Sequence, residues 1–192
     1  MKTEFEIKFL KINKDKIREK IKNLWWKCVK KETLMKRVVF DNPVKNKSYV
    51  RVRDEWDKIT CTYKEIVENK NWNLDINSVK ELETEIQDFN VMVWIFKNLW
   101  FLEKAYQESY REIWIINNEI EFMIDEWPWL FPFVEIEWEN EYLVKKYSDL
   151  LWFNYSQWIF WAVDEVYFKE LWIARDVTNN TKIITFDNPL KK

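Results

Sequence analysis

The sequence predicts an α+β fold in which an antiparallel sheet closes into a barrel and helices pack against its outside. Three observations lead there. Segments that alternate with strand periodicity outnumber helical segments by about two to one. Nearly every strand segment is apolar on one side and ionisable on the other. The ionisable sides are sorted by sign, with carboxylates on the first and last strands and arginines on the middle ones.

In chain order, TEFEIKFLKI opens the sheet, with Phe5, Ile7 and Phe9 on one face and Glu4, Glu6 and Lys8 on the other. A helix over about 14–24 follows, capped by Asn13 or Asp15, and buries Ile17, Ile21 and Leu24 at i, i+4, i+7. SYVRVRDE and KITCTYKEI form a hairpin around Trp56, and VKELETEIQ is the next strand. Helical patterning returns over 88–99, then KAYQESYREIWII, EIEFMIDE and FVEIEWE read as strands, and helices are expected over 139–151 and 158–171. Pro43, Pro128, Pro132 and Pro189 fall between these segments, where a missing N–H does least harm. Residues 1–173 read as one domain and 174–192 as a tail in which TKIITF is a candidate final strand.

Parity then assigns the strand faces. Tyr49, Arg51 and Arg53 share one side, as do Lys58, Thr60, Thr62 and Lys64. Glu81, Glu83 and Glu85 fall together, followed by Ser109 with Arg111, Glu121 with Met123 and Asp125, and Glu135 with Glu137 and Glu139. An open sheet with one wet face would also alternate, but such a face usually mixes Thr, Ser, Gln and Lys. Segregation by charge points instead to a shared polar interior, so the sheet closes with its charged face inward. Buried charge must be compensated, which calls for divalent cations at the carboxylates and an anion at the arginines and lysines. Oxygen ligands without histidine suit Mg2+ or Mn2+, and converging guanidinium groups suit a polyphosphate.

Composition narrows the function classes. The chain has 192 residues, 31 Lys and Arg against 33 Asp and Glu, and no histidine. Near-neutral charge argues against a nucleic-acid-coating surface. The start, MKTEFEIK, is charged and lacks an apolar run, so no secretory leader is expected, and no stretch is apolar enough for a membrane span. Cys28 and Cys61 are too few and too far apart for a disulfide framework or structural zinc, which fits a cytoplasmic protein.

EFEIK resembles the ExExK signature of the CYTH superfamily, the triphosphate tunnel metalloenzymes. RVRDEWDKITCTYKE is similar to that family's RxR, acidic-Gly turn and TxTxK hairpin, and DEWPWLFPFVEIEWE to its closing acidic block. The likeness runs in order from residue 4 to about 172. It implies a closed barrel of eight antiparallel strands, a triphosphate substrate and a divalent metal. It further implies that Glu4, Glu6, Glu135 and Glu137 face the metal, with Asp125 a further candidate ligand. Lys8, Arg51, Arg53, Lys64 and Arg111 would bind phosphates, with Lys104 a weaker candidate, and Glu4, Glu6, Lys8 and Glu137 would form the catalytic set. Ser109 departs from the pattern, since relatives often place a second basic residue there.

Hydrolysis of a bound inorganic, thiamine or nucleoside triphosphate is the expected activity, in a monomer or homodimer without a nucleic-acid or membrane partner. A class IV adenylyl cyclase, in which the ribose 3′ hydroxyl attacks and pyrophosphate leaves, uses the same tunnel. A non-catalytic polyphosphate binder would not need both pairs of glutamates. A lipocalin-like barrel would have an apolar interior.

One anomaly remains. Glycine is absent and tryptophan occurs 14 times. At ordinary usage about 13 glycines are expected. Trp25, Trp100, Trp152 and Trp172 each follow a leucine where a helix should stop, and Trp56 sits in a tight turn after an acidic residue. These are positions for a left-handed backbone, which glycine adopts without steric cost. Trp56 and Trp138, with Trp129 or its neighbour, also fall where the family has glycine. Most of these tryptophans are therefore expected to be UGA codons read as glycine in the native host. Inspection of the gene should show UGA at Trp25, Trp100, Trp138 and Trp152, and UGG at those positions would refute the expectation.

Overall fold

The computed structural model describes residues 2–3, 5–24, 26–66, 79–116, 120–138, 140–154, 159 and 162–190. Glu4, Trp25 and Glu139 lie outside the described residues. The sheet is made of β1 (Lys2–Thr3), β2 (Phe5–Phe9), β3 (Lys27–Asp41), β4 (Ser48–Asp54), β5 (Ile59–Ile66), β6 (Val79–Ile86), β7 (Leu102–Ile116), β8 (Ile120–Glu126), β9 (Phe133–Trp138) and β10 (Ile183–Ile184). Its helices are α1 (Lys14–Asn23), α2 (Phe89–Asn98), α3 (Glu141–Leu150), α4 (Val163–Leu171) and α5 (Arg175–Asn180).

Strand order is β1-β6-β5-β4-β3-β7-β8-β9-β2, and every pairing along that path is antiparallel. Because β1 and β2 belong to one N-terminal segment, both edges of the curled sheet arrive at residues 2–9. The seam with β9 spans five pairs, Phe5↔Trp138 to Phe9↔Val134, while the seam with β6 spans two, Lys2↔Glu81 and Thr3↔Lys80. Counting that segment once gives eight strands in the barrel. β10 lies off this path and pairs with β7 in parallel, at Ile183↔Tyr106 and Ile184↔Gln107.

The apolar outer face is covered by helices. Ile7, Phe9, Phe122, Ile124, Val134 and Ile136 pack against Ile17 and Ile21 of α1 and Val144 and Tyr147 of α3. Val38, Phe40, Val50 and Val52 meet Phe89, Met92, Val93 and Phe96 of α2. Trp127 and Phe133, which line the cavity inside the sheet, pack with Leu130 against Val166 and Tyr167 of α4 and against Ile184 and Leu190 beyond α5, so residues 173–190 share in the core. Each of these groups removes several large side chains from water, at about 1.5–3 kcal/mol per fully buried side chain.

Local capping follows the residues. Asn13 accepts from the Lys16 N–H, Asp88 from Val91, and Asn140 from Tyr142 and Leu143, which satisfies donors left open at the starts of α1, α2 and α3.

β3 is the element that alternation does not reveal. Its pairing with β7 slips between Cys28 and Lys30, between Lys30 and Thr33, and between Val39 and Phe40. The first two shifts place an extra residue on β3 and break its two-residue period, the third places Lys104 as an extra residue on β7, and the polar run KCVKKET hides β3 further. α5 also escapes the sequence reading, because its six residues hold one apolar side chain, Val177.

Backbone angles divide the tryptophans. Among the described residues seven have positive φ, and five of them are Trp56, Trp100, Trp129, Trp152 and Trp172. At the end of α2 the Trp100 N–H donates to the Lys97 carbonyl and the Phe101 N–H to Phe96, the paired bonds of a Schellman stop. Trp152 and Phe153 repeat the pattern at Asp149 and Ser148. All five indoles are at least 67% exposed, whereas Trp114 and Trp127 are 5% exposed and packed in the core. Trp138 lies within β9, where the extended backbone does not demand glycine.

A Cβ in the left-handed region costs roughly 1–2 kcal/mol. Lys20 sits 4.4 Å over the Trp152 ring and Phe168 meets Trp172 edge-on, contacts that would offset part of the gain from glycine there. Trp56→Gly and Trp100→Gly should therefore each stabilise the fold by about 1 kcal/mol in urea unfolding, while Trp114→Gly should destabilise it by about 3 kcal/mol or more.

Candidate active site

The strands turn their ionisable faces into one cavity of about 640 Å3. Glu6, Lys8, Arg51, Arg53, Lys64, Lys104, Arg111, Asp125, Glu135 and Glu137 all line it, so the structure brings together every described residue that the sequence singled out. Glu4 falls outside the described residues. Lys104 reaches the cavity near the pairing irregularity between Val39 and Phe40; it is about one-third exposed and 3.8 Å from Asp41.

Strand register explains the grouping. On one wall Glu6 pairs with Glu137 and Lys8 with Glu135, and Glu137 in turn pairs with Glu121 across β8. On the opposite side Arg37 pairs with Arg53 and Arg53 with Thr60, while Arg51 pairs with Thr62 and Thr62 with Glu83. Tyr49, Lys64 and Glu81 make the next row. Cross-strand neighbours on one face lie only about 5 Å apart, which is why period-two spacing in the sequence becomes a cluster in space.

The carboxylates of Glu6, Glu135 and Glu137 each offer an oxygen atom within 4.8 Å of the others. Lys8 joins this group, donating to Glu6 and lying 3.3 Å from Glu135. Arg111 engages both Asp125 oxygens, at 2.7 Å from Nε and 2.5 Å from Nη2, and reaches Glu135 at 3.1 Å. Arg53 pairs with Glu55 at 2.6 Å, Arg51 meets Glu83 at 3.5 Å, and Lys64 meets Glu81 at 2.8 Å.

These contacts set the charge states. Burial favours a neutral Glu135, but Lys8, Arg111 and Lys64 outweigh it and hold its pKa down at about 2. Burial also raises Glu137, and the negative charges of Glu135, Glu121 and Glu81 add to it against the pull of Lys64. Adjacent carboxylates on one strand are thus driven in opposite directions. Burial would lower Arg111, yet Asp125 and Glu135 keep it well above the ordinary arginine value.

Three oxygen donors without nitrogen or sulfur match a hard divalent cation such as Mg2+ or Mn2+. A cation at that point would counter the burial and carboxylate crowding that raise the pKa of Glu137.

The CYTH domain family model matches residues 2–146. The chain belongs to the CYTH domain family. No curated protein matches it. Among solved structures, a Pyrococcus horikoshii protein is 24% identical with a TM-score of 0.68, over 85% of this chain and 98% of that one. A proposed adenylate cyclase from Vibrio parahaemolyticus is 12% identical with a TM-score of 0.68, over 86% and 97% of the two chains. A proposed adenylyl cyclase from Hippeastrum, which reveals a dominant triphosphatase activity, is 16% identical with a TM-score of 0.52, over 78% and 85%. At these identities the likeness is one of fold.

Two residues of this CYTH cavity escaped the sequence reading. Arg37 belongs to the unpredicted β3, where neither Met35, Arg37 and Val39 nor Lys36, Val38 and Phe40 make a wholly polar or apolar face; the β-branched and aromatic run Val38, Val39 and Phe40 is the signal that could have shown the strand. Glu55 follows β4 but keeps the parity of Arg51 and Arg53, and continuing that face by one step along SYVRVRDE is the signal that could have found it. It is 1% exposed and is shared by Arg53 and Lys30, the latter at 2.9 Å.

Burial opposes the charge on Glu55, but Arg53 and Lys30 dominate and set its pKa at about 2, below the ordinary 4.5. A depressed folded-state pKa stabilises above the unfolded value and loses that effect as pH falls toward the folded one. Glu55→Gln should therefore unfold at lower urea than the parent above about pH 5, and the gap should narrow between about pH 4.5 and about pH 2.

Proposed function

We propose that the cavity binds a triphosphate together with Mg2+ or Mn2+ and hydrolyses its terminal phosphate. The observation that carries this reading is the joining, in one cavity, of a three-carboxylate cluster with a wall of arginines and lysines. Glu6, Glu135 and Glu137 would hold the cation, with Glu4 beside them in sequence. Lys8, Arg51, Arg53, Lys64 and Arg111 would bind phosphate oxygens, with Lys104 at the cavity edge. Asp125 has both oxygens on Arg111, so its part is to orient that guanidinium.

The cation, when bound, supplies Lewis-acid polarisation of the phosphoryl oxygens. The arginines and lysines neutralise the oxygens on which negative charge develops, and they are already fixed by carboxylate partners before substrate arrives. Glu137, which lines the cavity within reach of Glu6 and Glu135, would orient an attacking water in line with the terminal phosphorus. In the cyclase reaction the ribose 3′ hydroxyl would take the place of that water and pyrophosphate would leave.

The five exposed tryptophans at positive φ support the further reading that UGA codons encode glycine there. The assay should use protein carrying glycine at Trp56, Trp100, Trp129, Trp152 and Trp172. Tripolyphosphate, thiamine triphosphate and ATP are each offered with Mg2+ or Mn2+, and products are identified. Orthophosphate release that EDTA abolishes and that Glu137→Gln lowers by about a hundredfold or more is the expected result. Cyclic AMP with pyrophosphate would instead identify the cyclase, and tight binding without turnover would leave a binding module.

A further inference from the structure

Among the lumen arginines, Arg37 is set apart by what it lacks. Arg51, Arg53 and Arg111 each pair with a carboxylate, but no described carboxylate lies within ion-pair distance of Arg37, which is 5% exposed. Its Nη2 donates to the Ser109 hydroxyl and its guanidinium carbon lies 4.6 Å from the centre of the Trp127 ring. Its backbone partner across β4 is another arginine, Arg53. Burial, followed by the charges of Arg53, Arg51 and Arg111, pushes its pKa well below the ordinary arginine value.

Unpaired buried cations and directly opposed like charges both work against the folded state. A residue that served only to pack would be better served by an aliphatic side chain. The neighbouring wall shows what is missing. The Nε atoms of Arg37, Arg51 and Arg53 are all buried and have no hydrogen-bond partner among the described residues. Three orphaned donors on adjacent strands β3 and β4, among positive charges, require an acceptor that carries several oxygens and negative charge. A tetrahedral phosphate group meets that requirement, and guanidinium groups match it bidentately. Ser109 on the adjoining strand carries no charge, and the Arg37 guanidinium reaches its hydroxyl from β3.

We infer that Arg37 is a phosphate-binding residue of the cavity. With Arg51 and Arg53 it forms a seat on the β3–β4 wall for one phosphate group, while Trp127 and Ser109 hold its guanidinium in place. This rests on the triphosphate reading above and adds to it a fixed direction for the substrate. One phosphate lies against β3 and β4, away from the carboxylates of β2 and β9.

The test measures tripolyphosphate affinity by calorimetry, together with urea unfolding of the ligand-free protein, for the parent, Arg37→Met and Arg37→Lys. Arg37→Met should weaken tripolyphosphate binding at least tenfold while leaving the ligand-free protein as stable as the parent or more stable. Arg37→Lys, which keeps the charge and loses the fork, should fall between the two. Binding by Arg37→Met within threefold of the parent would overturn the inference and leave the triphosphate reading intact. A clear loss of ligand-free stability in Arg37→Met would overturn it too, because it would make Arg37 a structural residue. A parent protein that does not bind tripolyphosphate would overturn both readings.

Discussion

The inside of this barrel is held by charge opposed to charge around one shared cavity. Lys8 between Glu6 and Glu135, Arg111 across Asp125, Arg53 on Glu55 and Lys64 on Glu81 are each costly to bury alone and tolerable only as pairs. Register is therefore fixed from within. A slip of one residue in β4 or β9 would carry every lumen charge to the outer face and every valine and isoleucine into the polar interior. The helices depend on the same constraint, since α1, α2 and α3 pack on the apolar face that the inward charges leave outside.

The pairing is incomplete, and the deficit is local. Carboxylates crowd β2 and β9, where Glu137 is driven toward its protonated form, while guanidinium groups crowd β3 and β4, where Nε donors go unused. A lumen built only for stability would interleave the two sets. Separating them leaves one end suited to a cation and the other to an anion, which is the charge pattern of a metal-bound polyphosphate.

Helix termination raises a different constraint. A Schellman stop needs a residue that tolerates positive φ, and at Trp100 and Trp152 the hydrogen bonds of that stop are made around an indole pointing into solvent. Backbone geometry and side-chain chemistry disagree at these places and agree at Trp114 and Trp127, where the ring is buried against neighbours.

Much of this was legible in the sequence because a β-strand repeats every two residues. EFEIK, SYVRVRD, KITCTYKEI and FVEIEW each display which side is wet and which side is dry, and charge sorted by strand implied that the wet sides meet. Helices α1, α2 and α3 were legible through their caps and apolar spacing. β3 was not, because two extra residues and a polar start break its period, and with it went Arg37. Glu55 shares the parity of Arg51 and Arg53, but its burial between Arg53 and Lys30 depends on β3, which the sequence did not reveal. The sequence by itself determined which side chains share a strand face, since that depends only on local backbone geometry. Only the tertiary structure decided which faces oppose one another, which arginine has no described carboxylate beside it, and why the pKa of Glu135 is lowered while that of Glu137 is raised, because those follow from distances between strands far apart in the chain.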